Sequence, residues 1–215
     1  GELVQKEDGS VEFQPTGAVP IRDFPTKDNK VEGALEIFEM PVKGSDGKVP
    51  YDRYGFGLDP FDDDESGTMS LGSIFVMDFW ADRIVAEYTG RPPFANDLYE
   101  KVRLLCLFYN MKGLYENNLK GIFGYFSMRH CTYMLADTPE YLRERQLITS
   151  IGYGNKSKGV RAITPIIKAG FRMMRDWLLK PVTKIEQDAE GSEIRRLQCR
   201  RSGTVQKGQG YCRGG

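Results

Sequence analysis

Three short apolar runs separated by turn residues constrain this chain most. YGFGL (54–58) ends at Asp59-Pro60. GSIFVMDF (72–79) sets Ile74, Val76 and Asp78 against Phe75, Met77 and Phe79. RIVAEYT (83–89) alternates again after Ala81-Asp82. Alternation at every second residue is the pattern of half-buried strands, so these runs predict a three-stranded antiparallel meander. Upstream, ALEIFEMP (34–41) predicts a short strand ending at Pro41, and GSDGKVP (44–50) carries turn residues.

The pattern changes period after the meander. Leu98, Val102, Leu105 and Tyr109 keep helical spacing, and Asp97 with Glu100 resembles a capping box at the helix start. KGLYE (112–116) reads as a buried strand. Leu119, Ile122, Phe123 and Phe126 form a second helical stripe, with Asn118 as its N-cap. GYGNKSKGVR (152–161) reads as a basic, glycine-rich loop. Thr164-Pro165 opens a third helix, whose face carries Ile167, Phe171, Met174 and Leu178 and which stops before Pro181.

Antiparallel strands, then a helix and a further strand, predict an α/β mixed sheet flanked by helices. An RNase H-like arrangement has this order, and order alone leaves other α/β folds open. Residues 1–33 are polar and rich in Gly, Pro, Asp and Lys, which predicts a linker or a domain edge. The folded domain is expected over 34–182. Residues 183–215 hold only 8 apolar residues without periodicity, which predicts a poorly folded basic tail and a fold incomplete at its C-terminus.

Composition removes several function classes. With 215 residues, 40% of them hydrophobic, the chain can bury one core without disulfide staples. No run of about 18 apolar residues exists, so no membrane helix is expected, and the first ten residues show no secretory apolar stretch. No GxxxxGK[ST] motif occurs, which excludes a P-loop ATPase within this sequence. One histidine, His130, and four cysteines without a CxxC pair argue against zinc sites and histidine triads. The cysteines read as buried thiols of a reducing compartment. Net charge is zero, yet residues 1–100 hold 21 acids against 9 bases while residues 101–215 hold 9 against 21. Such asymmetry suits an anionic partner for the basic half, or two faces that partly neutralise each other.

Chemistry is expected at strand ends. Asp59 follows the YGFGL strand, and Glu116 ends the KGLY strand just before a helix. Carboxylates on neighbouring strand ends, with phosphate oxygens as further ligands, make a hard-cation site for phosphodiester hydrolysis. The competing readings are an Asp-Pro turn and a dipole-favoured glutamate. The run Asp62, Asp63, Asp64 and Glu65 fails the calcium-loop pattern, because its twelfth position is Ser73. It reads as a solvated loop able to lend a ligand near Asp59. Arg91, Lys156, Lys158 and Arg161 are placed to meet DNA phosphates, or to serve a strand end and a solvated loop. His130 reads as a helix-end residue, and Met173, Met174 and Trp177 as core or interface surface.

Together these segments resemble a known family. YGFGLDPFDDDESG, GSIFVMD and RIVAEYTGRP resemble the start of the nuclease domain of tailed-phage terminase large subunits. FYNMKGLYENNLKGIFGYF resembles the second acidic motif there, a strand ending in Glu followed by Asn and a Gly-bearing helix. The basic glycine loop and ITPIIKAGFRMMRDWLLKP resemble the segment that follows. The resemblance spans about residues 34–182. It implies an RNase H-like (RuvC-like) endonuclease that cuts concatemeric viral DNA during packaging, with Mg²⁺ or Mn²⁺ held by three acids. Asp59 takes the first position and Glu116 the second. No residue matches the third, an Asp on a C-terminal helix. Double-stranded DNA, the portal and the small terminase subunit are the implied partners, in the host cytoplasm and without a membrane. With neither an ATPase half nor a third acid, the chain is expected to be a piece of a longer protein, truncated or frame-shifted at its end. Two alternatives stand beside the endonuclease. One is a catalytically incomplete module that binds DNA or a packaging partner; the other is a structural scaffold.

Overall fold

A computed structural model describes residues 1–23, 31–61, 70–118, 121–145, 147, 158–187, 193–199 and 205–206. The chain divides into two compact units, Gly1–Ala162 and Ile163–Gly215.

The first unit is built on a five-stranded mixed sheet. Its strands are β3 (Leu35–Ile37), β4 (Tyr54–Asp59), β5 (Gly72–Asp78), β6 (Arg83–Gly90) and β7 (Lys112–Tyr115), in the order β3-β6-β5-β4-β7. The meander is present: β4 runs antiparallel to β5 and β5 to β6. β7 lies parallel to β4, with Leu58 opposite Tyr115. Such a parallel neighbour requires a crossover, supplied by α1 (Ala95–Tyr109). A meander whose first strand pairs in parallel with the strand after the helix is the RNase H-like arrangement.

Alternation decides which face is buried. Phe56, Leu58, Ile74, Val76, Ala86 and Tyr88 point into one core, which they share with Leu98, Val102, Leu105 and Tyr109 of α1. Ile122 and Phe126 of α2 (Gly121–Met128) join the same core. α1 ends at Asn110 in the left-handed conformation, a position Asn tolerates, and its side-chain amide donates to the Val49 carbonyl at 2.7 Å. The expected capping box is not used. The helix begins one turn earlier at Ala95, with Phe94 at the cap position, and Glu100 pairs with Arg103 instead. Cys106 and Cys131 are buried free thiols.

Both ends of the chain carry strands that alternation does not show. Residues 1–33 carry an antiparallel hairpin, β1 (Glu2–Gln5) with β2 (Val11–Gln14). Leu3 enters the core and Val11 and Phe13 pack against it, so the hairpin belongs to the first unit. Its strands are too short and polar for alternation to show them.

In the second unit, α3 (Tyr141–Glu144) having closed the helices of the first, α4 (Thr164–Leu179) starts with Pro165 in its first turn. Its predicted stripe is not core: no residue of α4 is buried, and Ile167, Phe171 and Met174 are exposed. β8 (Pro181–Gln187), β9 (Glu193–Cys199) and β10 (Val205–Gln206) then form a three-stranded antiparallel sheet in the order β10-β9-β8. All of that pairing but Pro181 and Val182 lies within the expected tail, residues 183–215. Backbone hydrogen bonds make a ladder without the apolar periodicity by which sequence reveals one.

Candidate active site

Strand register brings the two predicted acids together. Asp59 is the last residue of β4, and Glu116 follows the last residue of β7. The Glu116 amide donates to the Leu58 carbonyl at 2.9 Å, which carries the parallel ladder one residue beyond β7. Both side chains therefore leave neighbouring strand ends at the same edge of the sheet. Burial pushes the Glu116 carboxyl above its ordinary range. The like charge of Asp59 and a hydrogen bond shared with it push the same way, while the Asn118 amide opposes them.

The end of the basic segment, residues 158–161, returns to this edge, while residues 152–157 of it lie outside the described residues. Val160 bridges to Glu116 in parallel, and its amide donates to the Tyr115 carbonyl at 2.9 Å. The Asn117 amide nitrogen of the backbone donates to the Val160 carbonyl at 2.9 Å, and its side chain donates to the Lys158 carbonyl at 2.6 Å. Gly159 makes this approach feasible. Its φ is +74°, and a Cβ there would lie 2.7 Å from the Tyr115 carbonyl oxygen.

The predicted cations fall in different places. Arg91 follows β6 at the same edge, because Gly90 pairs with Gly72 and Asp59 with Ser73. Its guanidinium donates to the Ser70 carbonyl at 2.8 Å and lies 4.5 Å from the Phe61 ring centre. Lys158 donates to the Leu135 carbonyl at 2.8 Å and pairs with Asp137 at 3.0 Å, so its charge serves the loop itself. Arg161 is exposed beside that loop. Lys156 and the acidic run Asp62–Glu65 lie outside the described residues. His130 sits beyond the end of α2 with φ 54°, as a helix-end residue does.

Sequence reasoning missed the two asparagines as site residues. The Asn118 side chain engages Glu116 and the Ala162 amide, and the two residues between it and α2, on which its expected role as a helix cap depends, lie outside the described residues. The signal was the ENN triplet at a strand end. Ser73 and Thr89, whose hydroxyl oxygens lie 2.9 Å apart, extend the polar edge on the other side of Asp59.

The donor set suits a hard divalent cation. Mg²⁺ takes one or two carboxylates and fills its remaining positions with water and phosphate oxygens. Asp59 and Glu116 supply two such carboxylates, whose mutual repulsion a cation neutralises. Among the described residues, no group of three His, Cys, Asp or Glu side chains could hold a metal.

No family profile and no curated protein matches this sequence. Among solved structures, the chain is similar to the large terminase nuclease from thermophilic phage G20c, with 10% sequence identity and a TM-score of 0.35. That similarity covers 84% of this chain and 83% of the other. At this distance no residue is carried across, and the site rests on the geometry above. No helix among the described residues is long and apolar enough to cross a membrane.

Proposed function

We propose that this chain is a metal-dependent DNA endonuclease domain of the terminase type. The observation that supports it best is the juxtaposition of Asp59 and Glu116 on the ends of two parallel strands. In this reading both carboxylates hold Mg²⁺ or Mn²⁺ against a phosphodiester of double-stranded DNA. Such a cation supplies Lewis-acid polarisation of the phosphodiester and of the attacking water. The chain's own work is placement. β4 and β7 are rigid partners in one sheet, so the carboxylate oxygens are held before substrate arrives. Arg91, itself anchored by Ser70 and Phe61, offers its charge at the same edge. Arg161 offers a second cation beside the loop, with Lys156 and, once released from Asp137, Lys158 as further phosphate contacts. Backbone contacts of this kind give binding that is sequence-tolerant and weakens with salt. Cutting of concatemeric genomes, with the portal and the small terminase subunit as partners in the host cytoplasm, is the setting this proposal carries.

A plasmid-nicking assay with Mn²⁺ tests it. The parent chain is expected to nick supercoiled plasmid, and Asp59→Ala and Glu116→Ala to lose that activity. Equal nicking by either variant would overturn the assignment. Salt-sensitive DNA binding without metal-dependent nicking by the parent would instead identify a binding module.

A further inference from the structure

The Glu116 carboxylate has a dedicated partner. The Asn118 side-chain amide donates to Glu116 Oε1. Its other end accepts from the Ala162 backbone N–H at 3.1 Å. A backbone amide can only donate, so the amide oxygen of Asn118 must face Ala162. The NH₂ group is then the end that faces Glu116, and it can only donate. The orientation of this side chain is therefore set from the loop side, independently of the carboxylate it meets.

Asn117 provides an internal contrast. It is the adjacent residue and also ties the 158–162 segment to the end of β7, through the Lys158 and Val160 carbonyls. Neither its backbone N–H nor its side-chain amide donates to the Glu116 carboxylate. The two asparagines thus share the task of pinning the loop, and only Asn118 reaches the acid pair.

We propose that Asn118 is a positioning residue, holding the Glu116 carboxylate in the orientation that receives a divalent cation, with Ala162 as its anchor. The inference rests on the acid-pair reading of the preceding subsection. Partners behind a metal-binding side chain typically change metal affinity by about 10–100-fold when removed. Without Asn118 the carboxylate keeps its place at the strand end and loses its fixed rotamer.

Two measurements on the full chain test it, neither using activity. The first is Mn²⁺ affinity by calorimetry in the absence of DNA. Asn118→Ala is expected to weaken binding by about tenfold or more, and Asn117→Ala by less than about twofold. Unchanged affinity in Asn118→Ala overturns the proposal. Equal weakening in both variants also overturns it, because loop integrity would then be the cause. The second measurement needs no metal. In a ¹⁵N-correlated NMR spectrum, one Asn118 Nδ2 proton is expected to be shifted and protected from exchange, and to lose both features in Glu116→Ala. Solvent-like Asn118 amide resonances in the parent overturn the proposal whatever the metal result. Failure of the acid-pair reading looks different: the parent binds no Mn²⁺ while the Asn118 amide remains protected.

Discussion

The two ends of the β4–β5 ladder hold carboxylates in opposite circumstances. At one end Asp78 is only 1% exposed. Arg53 donates to it twice, at 2.9 and 2.7 Å, and the amides of Trp80 and Ala81 donate at 2.9 and 3.0 Å. Burial alone would raise this carboxyl, but the guanidinium and the two amides outweigh burial and hold it below the usual range. At the other end Glu116 faces Asp59, a group of its own sign, and is pushed up. The first arrangement completes every partner an Asp can use and closes a tight turn. The second sets two acids side by side, with the Asn118 amide donating to Glu116. One ladder therefore carries a stabilising end and an end that, under the proposed function, an added cation would complete. Perturbed carboxylates of the second kind are a mark of functional sites.

This comparison can be broken or sharpened by mutation. The largest effect is expected at the acid end on activity. Loss of either Asp59 or Glu116 to Ala should lower Mn²⁺-dependent nicking by about a thousandfold, as removal of a single electrostatic group in an active site can do. The melting temperature of Asp59→Ala should stay near that of the parent, as thermal denaturation would check.

Next comes Asp78→Ala, which strands the Arg53 guanidinium and two turn amides. Breaking a buried pair from one side costs about 3 kcal/mol, measurable by urea unfolding. The pH dependence has a definite sign. A carboxyl depressed in the folded state contributes stability above its unfolded value, and that contribution is lost as pH falls through the folded value. Parent stability should thus decline on acidification more steeply than that of Asp78→Ala. Parallel acid limbs would show that the pair contributes nothing.

Gly159→Ala should cost about 1–2 kcal/mol, since the left-handed conformation penalises a Cβ. The close Tyr115 carbonyl adds to the penalty. Urea midpoints would measure it. An unchanged midpoint would mean that the loop does not need its place beside β7.

The smallest effect is expected for Glu116→Gln, and it is stabilising. A carboxyl raised in the folded state disfavours folding once pH climbs past its unfolded value, and has no such effect below it. Removing the charge should raise the melting temperature by a few degrees at neutral pH and leave it unchanged in strong acid. A lower melting temperature at neutral pH would remove the contrast between the two ends.

Much of this molecule was legible in its sequence. Residues 74 and 76 alternate with 75 and 77, so the meander and its buried face followed from local period. Leu98, Val102, Leu105 and Tyr109 announced α1 in the same way. The N-terminal hairpin was hidden because strands of four residues offer too few positions to show a period. The apolar stripe of α4 was legible as a stripe, but its burial was not, since periodicity reports a face and never its partner.

The candidate site divides along the same line. Sequence by itself determined that two acids stand at strand ends and that a basic glycine loop follows, because residue type and local period are properties of short segments. Only the tertiary structure decided that β7 pairs with β4, which makes Asp59 and Glu116 neighbours, and that Asn117 and Asn118 tie the 158–162 segment to them. Those choices depend on which strand a crossover helix delivers its successor to, and on hydrogen bonds between residues far apart in the chain.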